Sequence, residues 1–435
     1  MRPTRQCLVL FAGGFILAAA PLWVGSGLWV LWVAFFASIV VLCGIDWILM
    51  ANDSNVRLHV SAPEQIPIGE SSVLDIVLAP SHRALHRLEI LPELSAGLHE
   101  SSTARATRSE DGYNASFDLK PLQRGRVSID AVWTKHRGPL GLMESQHRHP
   151  VEQFVDVTPN TPAVRAIALR FESDPSLRAG LQVEKFKGEG TEFDSLREFV
   201  KGDDRRAVDW KASARHAKLL CRQFRAETNH QLIIAVDSGR LMNEPIDGVT
   251  RLDHAINSSL LLSYVGLRTG ALVGFFSFGA RPGALLAPRS GVATHQEITR
   301  ASAAVEYSRD ETNYTLGLMT LAHRIRRRSL IVFLTDFSDT ITAELMVGNL
   351  NRLARRHLVV FVTLRDTTIE SVASDYPADS VTLHRSMVAQ RVEEDRAVVF
   401  GRLRRMGLLT IDTRPELVGS RLINEYLDVR RRDRI

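Results

Sequence analysis

Oxygen-bearing side chains stand at the ends of apolar runs in the second half of the sequence. Asp237 follows the run IIAV at 233–236, Thr335 and Asp336 follow LIVFL at 330–334, and Thr312 lies in the loop before Tyr314. Carboxylates and a hydroxyl are hard oxygen donors, the ligand type that Mg²⁺ accepts while keeping several waters. Asp237, Thr312 and Asp336 therefore form a candidate metal set, and a metal-dependent hydrolase is the reaction class it would serve. Arg240, three residues after Asp237, offers the opposing reading of a plain salt bridge that neutralises the carboxylates without an ion. An acid–base pair of Asp336 and Asp339 is weaker, because two aspartates in one loop are common.

A second group of residues spans 183–227 and reads VEKFKGEGTEFDSLREFVKGDDRRAVDWKASARHAKLLCRQFRAE. Charges of both signs are dense here, with Phe186, Phe193, Leu196, Phe199, Val208 and Trp210 interleaved among them. Asp203 and Asp204 stand where a helix would start and would meet its positive end. A mixed-sign run is ordinarily a solvated face. Rings at this frequency argue instead for a segment that folds back and packs, since burying a large ring is worth about 1.5–3 kcal/mol. Phe193, Arg197, Asp203, Asp204, Arg205, Arg206, Asp209 and Trp210 are the expected docking surface, the charges forming a polar rim around buried rings.

Other chemistries find no support in the residue pattern. There is no Walker loop or dinucleotide fingerprint, no G-x-S-x-G elbow, and no Cys–His pair with a known signature. Cys7, Cys43 and Cys221 have no metal or redox spacing, so no structural disulfide is expected. His82, His86, His99, His136, His147 and His149 match no ligand pattern and read as surface residues. A net charge of +5 over 435 residues says little about nucleic acid. Arg324, Arg326–Arg328 and Arg430–Arg432 lack aromatic stacking platforms, so no nucleic-acid partner is expected.

The elements that would position these residues follow from periodicity. Beyond residue 228, continuous apolar runs (IIAV, LVGFF, LIVFL, LVVFV) alternate with helical stretches. Such runs suit strands buried on both faces of a mainly parallel sheet, and the intervening helices imply a doubly wound α/β fold. In such a sheet, function belongs at the carboxyl ends of the strands, where Asp237 and Asp336 fall. Residues 52–160 read differently, as short alternating strands broken by Pro63, Pro67, Gly69, Pro80, Pro92 and Gly112, the pattern of a small antiparallel sandwich.

From residue 7 to 50 the only ionisable side chain apart from the cysteines is Asp46. The run is too long for one span of ~20 residues and suits two, at 7–20 and 28–50, joined by a turn at 21–27. Arg2 and Arg5 then favour a cytoplasmic N-terminus and return the soluble part to the cytoplasm. The rival reading is a signal peptide over 1–20, ending at Ala18-Ala19-Ala20, which leaves the second run as an anchor on the opposite side. Asp46 is expected to snorkel at the interface, with a buried proton relay as the alternative.

The run GEGTEFDSLREFVKGDDRRAVDWKASAR, followed by a strand ending in Asp237, resembles the signature of the domain of unknown function 58 family. In many members a membrane hairpin, a β-rich segment and an α/β domain occur in that order. They are typically encoded near MoxR-type AAA+ ATPases, and no enzymatic activity is established for them. The resemblance thus implies a membrane-linked assembly or chaperone-like factor with a MoxR-type AAA+ ATPase as partner.

The layout of Asp237, Thr312 and Asp336 is also similar to the metal-ion-dependent adhesion site of von Willebrand factor A domains, which uses a D-x-S-x-S loop, a separate threonine and a separate aspartate. Here Gly239 and Leu241 stand at both hydroxyl positions, and Ser238 is one residue out of step. The preferred reading is a structural remnant of the fold without a cofactor, with Mg²⁺ as the alternative.

The expected organisation is a transmembrane hairpin (1–51), a β-rich domain (52–160), a charged and aromatic segment (161–227) and a von Willebrand factor A-like α/β domain (228–435). The expected function is that of an inner-membrane scaffold binding other proteins, not an enzyme. A hydrolase with a degenerate Mg²⁺ site is the alternative.

Overall fold

An apolar stretch interrupted by Asp46 forms the helix Trp29–Leu49, whose 21 residues extend about 31 Å at 1.5 Å per residue. Its Trp32–Leu49 portion, with a mean hydropathy of 2.2, is the one described helix long and apolar enough to cross a membrane, where two spans were expected. The computed structural model describes residues 2–17, 29–50, 57–79, 86–95, 97–100, 104–105, 107–109, 112–173, 187–200, 208–225, 230–337, 340–376 and 378–432. The turn expected at 21–27 and the end of the first expected span lie outside them. The chain divides into two units, Met1–Thr158 and Pro159–Ile435.

In the first unit, the 13-residue helix Arg5–Leu17 packs antiparallel to Trp29–Leu49. Phe11 and Phe15 sit 5.7 and 5.4 Å from Phe36, and Trp32 Nε1 donates to the Gly14 carbonyl at 3.0 Å. Gly14 is required for this approach, since a Cβ there would lie 2.8 Å from Phe35.

Asp46 does not snorkel as expected. It is fully buried, and its carboxylate accepts backbone N–H bonds from Leu140 (2.7 Å), Leu142 (2.8 Å) and Met143 (2.8 Å). A side chain at Gly138 would collide with it. The same turn receives the start of the first helix: Arg2–Pro3 pairs with Met143–Glu144, and Thr4 Oγ1 donates to the Gly141 carbonyl at 2.8 Å. One turn of the β-rich part therefore holds the beginning of one helix and the end of the other.

The β-rich part alternates as expected. Leu74, Ile76 and Leu78 of the strand Ser72–Ala79 are buried, as are Tyr113, Ala115, Phe117 and Leu119 of Gly112–Pro121. These join Ile90, Ile129, Val132 and Val155 from the other sheet in one core, so two largely antiparallel sheets pack face to face. The hairpin Gly125–Arg137 with Met143–Thr158 runs well beyond its apolar residues. Its far half buries Thr134, His136 and Ser145, which hydrophobicity does not flag. His136 is thus a core residue rather than a surface one, its ring stacked on that of His147.

The second unit centres on a six-stranded sheet. Across it run Pro282–Arg289, Leu272–Phe278, Gln231–Asp237, Leu330–Leu334, Leu358–Leu364 and Leu409–Thr413, all parallel except the first. Residues 232, 234 and 236 of the central strand pack with the helices Arg251–Arg268 and Pro415–Arg431 on one face. Residues 233 and 235 pack with Tyr314–Arg324, Thr340–Ala354 and Ser380–Arg405 on the other. Burial on both faces explains why these strands are continuously apolar.

Three elements escape the periodicity reading. The edge strand Pro282–Arg289 is exposed and punctuated by proline and glycine. The helix Thr367–Ser374 buries no residue. The helix Thr161–Ser173 contributes Val164 and Ala168 to the α/β core, although it was expected to belong to the charged segment.

Candidate functional site at the strand ends

The chain leaves the central strand at Asp237 towards one neighbour, Leu272–Phe278, and returns later to the other, Leu330–Leu334. That reversal is the switch point where open α/β sheets form their binding crevices. Asp237, Thr335 and Asp336 stand on it, and the loop before Tyr314 brings Thr312 to the same place.

Asp237 is buried and its carboxylate is fully engaged. Oδ1 accepts from the Gly239 amide at 2.9 Å and from Thr312 Oγ1 at 2.6 Å, and Oδ2 accepts from Thr335 Oγ1 at 2.5 Å. Tyr314 donates to the Asp336 carbonyl at 2.7 Å, with its hydroxyl 3.4 Å from Asp237 Oδ2. All these donors are neutral. Burial therefore pushes the Asp237 carboxyl up to about 6 even though the hydrogen bonds pull the other way.

The glycine in the first loop has a steric reason. A Cβ at 239 would lie 1.9 Å from Thr312 Oγ1, so the threonine occupies the space a side chain there would need. Ser238 turns away and donates to the Phe278 carbonyl at 3.1 Å.

Asp336 is buried with charged partners. Oδ1 accepts from the Phe337 amide and from Arg396 Nη1, both at 2.9 Å, and Oδ2 accepts from Arg251 Nη1. Arg251 also reaches the Leu364 carbonyl at 3.1 Å and Asp366 at 3.3 Å. Arg396 continues to Asp412 at 2.9 Å, and Arg365 binds the other Asp412 oxygen at 3.0 Å. Burial alone would raise the Asp412 carboxyl, but Arg396 and Arg365 outweigh it and hold it below its usual range.

Two corrections follow. Arg240 does not neutralise the aspartates; it lies 3.6 Å from Glu311, on an exposed loop. The cations that neutralise Asp336 are Arg251 and Arg396, neither of which was singled out from the sequence. A signal for Arg396 existed: it lies on the helical stripe of Ala389, Val399, Phe400 and Leu403, all buried. A charge on a core-facing stripe implies a buried partner.

The charged and aromatic segment forms a separate motif. Lys187–Glu198 pairs antiparallel with Leu220–Arg225, and the short helix Trp210–His216 lies between them in sequence. Asp209 caps that helix, accepting from the Lys211 and Ala212 amides at 3.0 Å. Arg197 is half-buried opposite Cys221, and Phe193 pairs in register with Phe224. The ring of Trp210, at the first position of a seven-residue helix, is 70% exposed, which overturns its expected burial. Asp203, Asp204, Arg205 and Arg206 lie outside the described residues.

Among known proteins, the chain is similar over part of its length to several solved structures, including the following three. One is proximal thread matrix protein 1 from the mussel byssus, 11% identical with a TM-score of 0.27, where the match covers 46% of this chain and 46% of that one. This chain thus matches about half of the mussel protein. Another is an aerotolerance-related membrane protein from Bacteroides fragilis, 13% identical over 46% of this chain and 98% of the other, with a TM-score of 0.26. The third is the conserved hypothetical protein BatB from Bacteroides thetaiotaomicron, 10% identical over 41% and 98%, with a TM-score of 0.22. At these scores the likenesses carry no inference about mechanism. No curated protein matches the chain. The family described as protein of unknown function DUF58 matches residues 195–377, which include the charged segment's second half, Asp237, Thr312 and Asp336.

Proposed function

We propose that this protein is a membrane-anchored, non-catalytic scaffold whose second unit is a von Willebrand factor A-like doubly wound domain. One observation carries the reading. Both carboxylates at the switch point are engaged by the chain's own donors, Asp237 by the Gly239 amide and the Thr312 and Thr335 hydroxyls, and Asp336 by the Phe337 amide and two guanidinium groups. A divalent cation there would compete with those donors for the carboxylate oxygens and would be opposed by the positive charge of Arg251 and Arg396. We read this donor set as a poor fit for Mg²⁺, which binds through oxygen ligands. The arginines supply the positive charge instead, and the strand-end face becomes a rigid surface for protein partners.

The resemblance to the domain of unknown function 58 family points to a MoxR-type AAA+ ATPase as one such partner. The helix Trp29–Leu49 supports the membrane anchor. The shared turn that holds Arg2–Pro3 and Asp46 supports a hairpin with the N-terminus and the soluble part on one side. With Arg2 and Arg5 inside, that side is the cytoplasm.

Calorimetric titration of the full chain in detergent with Mg²⁺ or Mn²⁺ tests the reading, and no stoichiometric heat is expected. Tight one-to-one binding abolished by Asp237→Ala would replace it with the hydrolase alternative, for which convergence of Asp237, Thr312 and Asp336 is the supporting observation. A surface-immobilised AAA+ partner should retain the protein in a manner independent of divalent ions.

A further inference from the structure

The two cysteines of the helix pair are neighbours in space although 36 residues separate them in sequence: their sulfurs lie 3.4 Å apart. Cys7 is the third residue of Arg5–Leu17, and Cys43 lies three residues before Asp46. Both therefore sit at the end of the helix pair tied to the β-rich turn. The tethers on either side are polar and specific: the Thr4 hydroxyl to the Gly141 carbonyl, and the Asp46 carboxylate to three amides of residues 140–143. With both backbones pinned to one turn, the sulfurs are held in register before any bond forms. Cys7 is fully buried, whereas Cys43 is half-buried and about 4.5 Å along the helix axis from the residue that meets the turn. Of the two thiols, Cys43 is the less enclosed by protein.

We propose that Cys7 and Cys43 form a reversible redox pair that locks the membrane anchor. Hydrogen peroxide oxidises the Cys43 thiol to a sulfenic acid: the O–O bond breaks, an S–O bond forms and one water leaves. The Cys7 sulfur then attacks Cys43, forming the S–S bond and releasing the second water. Two thiols and one peroxide yield one disulfide and two waters, and a dithiol reductant restores the thiols. Closing the bond requires the sulfurs to move from 3.4 Å to about 2.05 Å. The consequence is mechanical. The oxidised helices are covalently joined at the end that meets the β-rich turn, while the reduced pair is held there by non-covalent contacts alone. Cys221, buried in the other unit, is an internal control.

The test uses the full chain in detergent and again in phospholipid vesicles, treated with hydrogen peroxide, denatured and labelled with a polymer-bearing maleimide. The reduced chain takes three labels. The oxidised chain is expected to take one, to recover three after dithiothreitol, and to yield a peptide pair linking Cys7 to Cys43 in mass spectrometry. Cys7→Ser and Cys43→Ser should each take two labels in reducing conditions. After peroxide, neither variant should form an intramolecular crosslink. Retention of three labels by the oxidised wild-type chain overturns the proposal, as does a crosslink that involves Cys221 or joins two chains. A fluorescence melt of each variant checks folding independently.

Discussion

Each unit buries aspartate carboxylates, and each satisfies them by different means. Asp46 is held by three backbone amides of one turn. Asp336 is held by one amide and two guanidinium groups that arrive from helices far along the chain. Asp237, beside Asp336, has neutral donors only and is pushed up to about 6. A carboxylate that accepts amides can be served by a loop of a few residues. One that needs counter-charges recruits whole helices, and so couples strand ends to helices across the fold.

Removing a counter-charge should have the largest effect. Arg396→Met leaves Asp336 and Asp412 buried beside an apolar group, and a loss of about 3–5 kcal/mol is expected in denaturant unfolding of the second unit. Adding Asp336→Leu should not restore stability, because it takes the carboxylate away from the buried guanidinium of Arg251. Full recovery in the double variant would mean that Asp366 and the Leu364 carbonyl suffice for Arg251.

The next effect is a pH dependence. The Asp237 carboxyl lies at about 6 when folded against 3.8 for the free group, a difference of roughly 2 units. Its folded value is raised, so its contribution to stability is fully present below pH 3.8 and is lost as pH rises through about 6. At about 1.4 kcal/mol per unit the loss is on the order of 3 kcal/mol. Asp237→Asn, with the Thr312 or Thr335 hydroxyl turned to accept from the new amide, should remove that slope. Parallel stability curves for wild type and variant between pH 4 and 7 would contradict this account.

Asp46→Asn should have a smaller effect. The amide's one carbonyl oxygen can keep the two bonds made by Oδ2, leaving a single backbone N–H without its acceptor, at about 1–3 kcal/mol. Thermal unfolding of the first unit should shift accordingly, with the second unit unchanged. Trp210→Ala should change stability least, by less than about 0.5 kcal/mol, as expected for an exposed side chain. A loss above 2 kcal/mol would restore the buried ring expected from the sequence.

Much of the architecture was legible because it is local. The alternation in Ser72–Ala79 and Gly112–Pro121 and the unbroken runs at 232–236 and 330–334 reflect which faces of a strand are buried. The apolar stretch of Trp29–Leu49 likewise announces itself by length and hydropathy. Asp237 and Asp336 could be placed at strand ends for the same reason.

Their partners could not. Arg251 lies 85 residues before Asp336 and Arg396 lies 60 after it, and the strand-end geometry alone selects them over the nearby Arg240. Trp210 failed in the opposite direction. Its type and neighbours spoke for burial, but burial depends on whether another surface covers the ring. Local sequence determined where strands, helices and turns form, because those depend on backbone sterics and the period of apolar residues. Only the tertiary structure decided which charge meets which, because Coulomb and hydrogen-bond partners are chosen by distance in space.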